Sequence, residues 1–306
     1  MIWYRWFIFE GFIVLIGWLA RLFSKKNAKK TPYVKEFGAQ NTKLASAQQN
    51  IYPAQQPPSY KFSDKTVRIA AFGDIHGRVD LLQKLSPVLD KSAKGVERSL
   101  IEVYLGDYVD RGSNSKGVIE HLIARSALTD RKTVCLAGNH EQMMVAALDT
   151  DEDFKRWLGF GGESTLLSYG VSPTGAGKNV SKKRAEFIEA VPQTHVEFLR
   201  NLPTSYHHAE FFFAHAGVHP KRSLATQKDE DLMWIRNPFL TSFADFGATI
   251  VHGHTPAQKP VFRPNRIGID TGAYRTGILT CLLITSEKIS VLDTSPQGLR
   301  AIANHI

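Results

Sequence analysis

Three short apolar runs in the middle of the chain each end in side chains that commonly bind metal ions. The runs cover residues 67–72, 100–105 and 133–137, and each is followed by a segment with the apolar spacing of a helix. Strands and helices that alternate in this way form a parallel sheet, and open α/β sheets place their sites at the carboxyl ends of the strands. The sequence therefore predicts an α/β (α+β) fold with metal-type side chains gathered at one edge of a sheet.

The side chains that follow these strands suit a pair of metal ions. Asp74 and His76 are separated by one residue, so both can reach one ion, and Asp107 brings a carboxylate that can bridge two ions. Asn139 adds a neutral amide oxygen. Three imidazoles complete the set: His140, His215 and His254. This mixture favours two divalent ions of the Mn, Fe or Zn type over Ca or Mg, with Mn as our first choice. Two such ions about 3.5–4 Å apart activate water and clamp a phosphoryl group.

Five short motifs occur in order along residues 66–293. They read GDIHG from Gly73, GDYVDRG from Gly106, GNHE from Gly138, HAG from His215 and GHTP from Gly253. In these motifs the chain resembles the calcineurin-like metallophosphoesterases, and in particular their phosphoprotein phosphatase (PPP) branch. Pro256 favours that branch, because many other metallophosphoesterases have a histidine at this position. The resemblance implies a metallophosphoesterase β-sandwich of mixed sheets flanked by helices.

The resemblance also implies a role for each motif residue. One ion would bind to Asp74, His76 and Asp107. The other ion would bind to Asp107, Asn139, His215 and His254. His140, oriented by Asp110, would act as the general acid while a metal-bridging hydroxide attacks phosphorus. The substrate-binding residues would be Arg111, Arg236, Asn139 and Tyr274. Arg236 also fits an exposed helix end, and Tyr274 also fits a buried structural position.

The motifs leave the substrate class open. Bacterial proteins that resemble this chain include serine/threonine protein phosphatases and symmetrical bis(5'-nucleosyl)-tetraphosphatases, which cleave diadenosine tetraphosphate and in some cases nucleoside-capped RNA. We expect a serine/threonine phosphoprotein phosphatase, because a membrane tether and an open site favour protein substrates, and we keep the tetraphosphatase as the alternative. A further alternative is an inactive, membrane-tethered binding module, which the complete set of ligands disfavours.

The catalytic domain is predicted at residues 64–306, with a helical, cap-like insertion at 141–203. Three apolar runs near its end indicate antiparallel strands of a second sheet: 266–269, 278–285 and 289–293. Cys135 and Cys281 fall in predicted strands as small buried side chains. Nothing in their spacing indicates a disulfide framework, which favours a reducing compartment.

Residues 1–23 are predicted to form an apolar helix that associates with a membrane. They contain three of the five tryptophans, and their apolar length approaches the roughly 20 residues that cross a bilayer. A helix that lies in the membrane surface is the alternative. The basic residues that follow would place segment 2–30 at the inner face of the membrane and the enzyme in the cytoplasm. Residues 24–63 are rich in Lys, Gln and Pro, and this composition predicts a disordered linker.

The net charge of +9 is concentrated near the start of the chain. Residues 1–65 contribute +7 of it, so the remainder is close to neutral. A protein that binds duplex nucleic acid needs clustered basic residues on its folded domain. We therefore expect no duplex nucleic-acid partner. The expected partners are a phosphoprotein or dinucleoside polyphosphate substrate and the membrane surface.

Overall fold

A computed structural model defines the fold over residues 58–93, 99–296 and 298–303, which lie within one compact unit, Ala54–Ile306. The predicted helix at 1–23 and most of the predicted linker at 24–63 lie outside these described residues. Within the described part of the chain, no helix is both long enough and apolar enough to cross a membrane. The membrane association of segment 2–30 therefore stays a prediction.

The described elements follow the predicted alternation of strands and helices. The first half contains β1 (Val67–Phe72), α1 (Val79–Ala93), β2 (Ser99–Tyr104), α2 (Ser115–Ser126), β3 (Arg131–Cys135), α3 (Asn139–Asp149), α4 (Asp151–Trp157), α5 (Glu163–Ser168), α6 (Val180–Ala190) and α7 (Gln193–Arg200). The second half contains β4 (Ser205–His208), β5 (Phe211–Ala214), α8 (Asp229–Trp234), β6 (Thr249–His252), β7 (Val261–Arg263), β8 (Arg266–Gly268), α9 (Ala273–Thr276), β9 (Thr280–Ile284), β10 (Ile289–Asp293) and β11 (Leu299–Ala303). A π-helical turn, Leu158–Gly162, joins α4 to α5, and a 3-10 turn, Leu224–Thr226, precedes α8.

Two mixed sheets pack face to face. The first has the strand order β11-β10-β9-β1-β2-β3, in which β1, β2 and β3 are parallel and the other neighbours are antiparallel. The second has the order β4-β5-β6-β8-β7, in which β5, β6 and β8 are parallel. Alternate side chains of a strand point to opposite faces. Ile69 of β1 accordingly packs between the sheets with Phe213, whereas Phe72 packs beneath the helices. β1 is apolar throughout because both of its faces are covered.

This architecture confirms the predicted α/β (α+β) sandwich of mixed sheets flanked by helices. The expected position of the last strands is wrong, because β9 and β10 belong to the first sheet, where Ile284 of β9 lies opposite Ile69 of β1. β8 does join the second sheet, but it runs parallel to β6. Apolar periodicity identifies a strand without identifying its neighbour. The side of β1 that faces away from β2 takes β9 as its partner.

Helices α3 to α7 form the insertion predicted at 141–203. The insertion packs on the outer face of the first sheet, where Trp157 shares a core with Phe72. Local sequence sets the start of α4, because the Thr150 side chain accepts a hydrogen bond from the Asp153 backbone N–H at 3.0 Å. The insertion is therefore integrated into the core of the domain.

Residues expected at the end of the linker pack against the sandwich. Tyr60 and Phe62 are buried, and the Tyr60 hydroxyl donates to the Arg263 carbonyl oxygen at 2.9 Å. The Phe62 ring meets the Phe211 ring edge-on. The folded part of the chain therefore includes residues upstream of the expected boundary at 64.

The two cysteines lie where they were predicted. Cys135 in β3 and Cys281 in β9 are free and buried. Burial raises the pKa of the Cys135 thiol to about 12. The thiol therefore stays protonated near neutral pH and behaves as a small apolar side chain.

Candidate metal centre

Loops that follow five strands meet at one edge of the sandwich. They carry Asp74, Asp107, Asn139, His215 and His254, which follow β1, β2, β3, β5 and β6 respectively. Two groups of possible ligands form there, each with its ligand atoms within 4.8 Å of one another. The first group is His76, Asp107 and His140, and the second is Asp107, His215 and His254; the predicted ligand Asp74 belongs to neither group, and His140, predicted as the general acid, belongs to the first. Asp107 belongs to both groups, which is the position expected of a bridging carboxylate.

Asp107 faces one imidazole from each group. Its Oδ2 lies 3.4 Å from His76 Nε2, and its Oδ1 lies 3.3 Å from His215 Nε2. Burial raises the pKa of Asp107, but positive charge on the imidazoles of His215, His140 and His76, when they are protonated, outweighs burial and lowers that pKa well below its usual range. All of these side chains are buried, so water screens their interactions only weakly.

Hydrogen bonds at Nδ1, the ring nitrogen that faces away from Asp107, orient two of the imidazoles. His76 Nδ1 donates to the Val109 carbonyl oxygen at 2.8 Å, and His215 Nδ1 donates to the Leu105 carbonyl oxygen at 3.0 Å. A proton on Nδ1 leaves the Nε2 lone pair of each ring directed at the centre, as a metal ligand requires. Burial lowers the pKa of both histidines, which keeps them in the neutral form that can coordinate a metal.

Asn139 and His254 complete the second group. Asn139 Oδ1 lies 3.0 Å from His215 Nε2 and 2.9 Å from His254 Nδ1. His254 Nε2 is buried and has no hydrogen-bond partner among the described residues. Burial lowers the pKa of His254 well below its usual value. Nδ1 is the His254 nitrogen that faces Asn139 and His215, so it is the nitrogen that could bind a cation together with them.

Asp74 lies beside a second carboxylate that sequence reasoning missed. Both oxygens of Asp74 accept a hydrogen bond from the His254 backbone N–H at 3.1 Å. Burial, followed by the charges of Asp270 and Asp107, raises the pKa of Asp74. Burial raises the pKa of Asp270 to about 6. Carboxylates packed this closely repel one another, and a divalent cation would relieve the repulsion.

The backbone around the site is unusually constrained. Among the described residues, six that are not glycine have a positive φ, and five of them are predicted site residues: His76, Asp107, Asp110, Arg111 and His254. Two glycines allow the loops to approach the carboxylates, because a Cβ at Gly138 would overlap Asp107 Oδ1 and a Cβ at Gly253 would overlap Asp74 Oδ1. Strained backbone of this kind concentrates at functional sites. The donor types and the close approach of the loops together fit two divalent cations.

His140 and Asp110 form the pair that the sequence predicted. His140 Nδ1 donates to Asp110 Oδ2 at 2.6 Å, and His140 Nε2 lies 3.9 Å from Asp107 Oδ2. Burial lowers the pKa of His140, but Asp107 and Asp110 outweigh it and raise that pKa overall. A histidine with a raised pKa holds a second proton more readily, which suits a general acid.

The predicted phosphate-binding residues surround the metal ligands. Arg111 Nη1 lies 2.7 Å from His76 Nε2, and its guanidinium carbon lies 5.2 Å from the centre of the Tyr274 ring. The Tyr274 ring meets the His76 ring edge-on at 5.5 Å. Burial and Arg111 lower the pKa of the half-buried Arg236, while Asp107 and Asp270 oppose that shift. The structure therefore brings Arg111, Arg236 and Tyr274 to the site.

Residues 67–277 match the sequence profile of the calcineurin-like phosphoesterases. The chain belongs to this family. The match covers all five motifs, so the family predicted from them is confirmed. Enzymes of this family use divalent metals, in agreement with the donor set of this phosphoesterase.

The phosphoesterase is similar to named relatives and solved structures. It is 28% identical over 247 residues to the asymmetrical bis(5'-nucleosyl)-tetraphosphatase PrpE of Bacillus mycoides strain KBAB4, which covers 73% of this chain and 94% of the relative. A crystal structure named "putative diadenosine tetraphosphatase" superposes with a TM-score of 0.54 at 20% identity, over 78% of this chain and 99% of that chain. The cold-active protein-tyrosine phosphatase of a psychrophilic Shewanella species superposes with a TM-score of 0.50 at 16% identity, over 79% and 83%. The two structural similarities support the fold.

Glu141 of the phosphoesterase is a second buried residue that sequence reasoning missed. Its Oε2 accepts from the backbone N–H groups of Asp107 (2.7 Å) and Gly138 (2.9 Å). Its Oε1 accepts from those of Tyr108 (2.7 Å) and Val109 (3.2 Å). Glu141 therefore fastens the loop that carries Asp107 to the start of α3. The sequence signal for this role was the position of Glu141, directly after His140 and three residues after Gly138, where a helix begins.

Proposed function

We propose that this chain hydrolyses a dinucleoside polyphosphate, with diadenosine tetraphosphate as the model substrate. The observation that carries the proposal is the pair of ligand groups sharing Asp107, in a chain that spans 94% of the length of a named bis(5'-nucleosyl)-tetraphosphatase. A two-metal site suits in-line displacement at phosphorus in either phosphate esters or anhydrides. The substrate class is drawn from the relatives.

The site residues have separate roles in this proposal. Asp74, His76 and Asp107 would hold one divalent ion, and Asp107, Asn139, His215 and His254 would hold the other. Bound divalent ions supply an activated water and neutralise charge on phosphoryl oxygens. Arg111 and Arg236 would bind the same oxygens, and Tyr274 would support Arg111. His140, held by Asp110, would protonate the departing oxygen.

The relatives indicate where the anhydride chain would break. PrpE is named as an asymmetrical enzyme. We accordingly propose asymmetrical cleavage, in which water adds to diadenosine tetraphosphate and yields ATP and AMP. Symmetrical cleavage, which belongs to the alternative that we kept from sequence, would yield two ADP. In heavy-oxygen water, the label enters AMP when the α-phosphorus is attacked and ATP when the β-phosphorus is attacked.

The geometry of His140 and Asp110 favours a second candidate, a serine/threonine phosphoprotein phosphatase. A nucleotide leaving group ends in a phosphate whose second pKa is about 6, so it departs with little help from an acid. A serine or threonine alkoxide is far more basic and gains most from a positioned general acid. The 2.6 Å bond between His140 and Asp110 is therefore more useful for a phosphoprotein than for a dinucleotide.

The decisive experiment compares the two substrate classes on one preparation. The full-length chain in detergent, loaded with Mn²⁺, is given diadenosine tetraphosphate or a panel of phosphoserine and phosphothreonine peptides, and the products are separated by chromatography. ATP and AMP with little peptide turnover would support the proposal. Rapid peptide turnover with little dinucleotide cleavage would replace it with the second candidate. Asp107→Asn, which removes a shared ligand, is the inactive control.

We also propose that segment 2–30 tethers the enzyme to the inner face of the membrane, and hence in the cytoplasm. The support is the apolar composition of residues 2–23 and the basic residues that follow. Fractionation of cells that make either the full chain or a chain without residues 2–23 tests this. Full-length protein that stays in the soluble fraction with its first 24 residues intact would contradict the tether.

A further inference from the structure

Asp110 accepts hydrogen bonds from two side chains of the insertion. Trp157 Nε1 lies 2.9 Å from Asp110 Oδ2 and 3.1 Å from Oδ1, and the Thr165 hydroxyl donates to Oδ1 at 2.7 Å. His140 Nδ1 supplies a third donor to Oδ2. Trp157, Thr165 and Asp110 have no exposed surface, and His140 is 1% exposed. Three buried donors from different elements fix the plane of the carboxylate.

The hydroxyl groups around Asp110 allow one consistent arrangement of protons. The Asp110 backbone N–H donates to Ser115 Oγ at 3.0 Å and to Thr165 Oγ1 at 2.9 Å. The two hydroxyl oxygens are 2.9 Å apart. Because Thr165 has one hydroxyl proton and gives it to Asp110 Oδ1, Ser115 must be the donor in the bond between them. Both the backbone and the side chain of Asp110 are therefore held, at a φ of 72° that residues other than glycine rarely adopt.

We propose that Trp157 and Thr165 are positioning residues for the general acid. They hold the Asp110 carboxylate so that it fixes His140 Nδ1 and directs His140 Nε2 at the departing oxygen. The inference rests on the general-acid role that the proposed function gives to His140, a role that matters most when the leaving group is basic. It gives the insertion a part in the chemistry, since α4 and α5 carry the groups that keep the acid in place.

The position of these two side chains makes the expected effect selective. Trp157 and Thr165 donate their hydrogen bonds to Asp110, whereas the shared metal ligand Asp107 is bound through its backbone N–H by Glu141. Loss of the Thr165 hydroxyl should therefore disturb protonation of the leaving group more than substrate binding. A poor leaving group depends on that protonation, whereas a good leaving group does not.

The test uses the full-length, Mn²⁺-loaded chain with benzyl phosphate, a poor leaving group, and p-nitrophenyl phosphate, a good one. We expect Thr165→Val to lower kcat on benzyl phosphate about tenfold, a part of the roughly 10²–10⁴-fold that a general acid supplies. Its kcat on p-nitrophenyl phosphate should change less than about twofold, and KM for both should be nearly unchanged. Thr165→Ser keeps the hydroxyl and should restore turnover. Thr174→Val, at an exposed threonine of the same insertion, is the matched control.

Two further variants separate positioning from folding. Trp157→Phe removes the indole donor and keeps an aromatic ring beside Phe154 and Phe187, so it should repeat the selective loss. Proton NMR of the metal-free chain gives a second readout. The downfield signal of the His140 Nδ1 proton, assigned by its absence in His140→Asn, should persist in Thr165→Ser and broaden in Thr165→Val.

The outcomes distinguish this inference from the proposed function. Equal losses on both phosphates in Thr165→Val, or no loss on benzyl phosphate when His140→Asn shows one, would overturn the positioning role alone. If His140→Asn shows no dependence on the leaving group, the general-acid role fails and the inference fails with it. No turnover of any phosphate ester or dinucleotide by the loaded wild-type chain would overturn both.

Discussion

Replacing Glu141 by glutamine tests how the metal-bearing loop is held. The carboxylate accepts four buried backbone N–H groups, two on each oxygen, from residues 107, 108, 109 and 138. Glutamine has nearly the same shape, but one oxygen becomes an NH₂ group that only donates. Two backbone N–H groups would then face a donor in place of an acceptor.

The size of the effect follows from those two groups. A buried donor left without an acceptor costs about 1–3 kcal/mol, so Glu141→Gln should lower the free energy of unfolding by roughly 2–6 kcal/mol. Total stabilities of about 5–15 kcal/mol are usual, which makes this a large share. The loop would also lose the contact that holds Asp107 at its positive φ, so metal affinity should fall as well.

Urea unfolding of the metal-free, full-length chain measures the first effect. Burial, followed by the charge of Asp107, raises the pKa of Glu141 to about 7. The measurement should therefore be made near pH 8.5, where the carboxylate is ionised. Glu189→Gln, at an exposed glutamate of α6, is the control and should change stability by less than about 0.5 kcal/mol. Equal unfolding midpoints and slopes for the two variants would refute the role of Glu141 in holding the loop that carries Asp107.

Two other substitutions give separate predictions. Asp107→Asn should reduce metal content, measured by atomic emission after dialysis against Mn²⁺, together with turnover, and a fully loaded variant would contradict its place as the shared ligand. Burial and Arg266 lower the pKa of His252 to about 3 from a usual 6.5, so the stability linked to this residue is lost as the pH falls from about 6.5 towards 3. His252→Gln should therefore flatten the fall in unfolding free energy by about 1.4 kcal/mol per pH unit in urea titrations between about pH 6 and pH 4, and an unchanged slope would show that His252 does not remain neutral.

Several of the metal ligands that sequence predicted share one property: they lie in a loop directly after an apolar strand. Asp74, Asp107 and His215 follow strands that are buried on both faces, so the strands are easy to recognise and their ends can be located. Parallel strands then bring these ends to one edge of the sheet. Chemistry and position are thus both readable from local sequence at these residues.

The residues that were missed act across long distances in sequence or through the backbone. Thr165 is 55 residues from Asp110, and Trp157 is 47 residues from it. In sequence they resemble any hydroxyl or aromatic side chain of a helix. Glu141 binds backbone N–H groups, which carry no sequence signal of their own. The pairing of β9 with β1 was missed for a related reason, because a strand's apolar pattern is the same whichever neighbour it takes.

Metal removal should reveal how much of the stability depends on the ions. The loops hold five site residues at positive φ, a strain of order 1–3 kcal/mol at each, and burial raises the pKa of Asp270 beside Asp74. Cation binding would offset the carboxylate repulsion in the folded state and would have no matching site in the unfolded chain.

Free metal at 100 times its Kd should stabilise the protein by about 2.7 kcal/mol for each site that it fills, which corresponds to a rise in Tm of roughly 5–10 °C per site for a domain of this size. Differential scanning calorimetry of the chelator-stripped chain, titrated in parallel with Mn²⁺ and Ca²⁺, measures it. Because imidazole nitrogens form part of both ligand groups, Mn²⁺ should raise Tm well above the Ca²⁺ value. Equal shifts with the two ions would show that the histidines do not coordinate, and no shift with either would remove the metal centre itself.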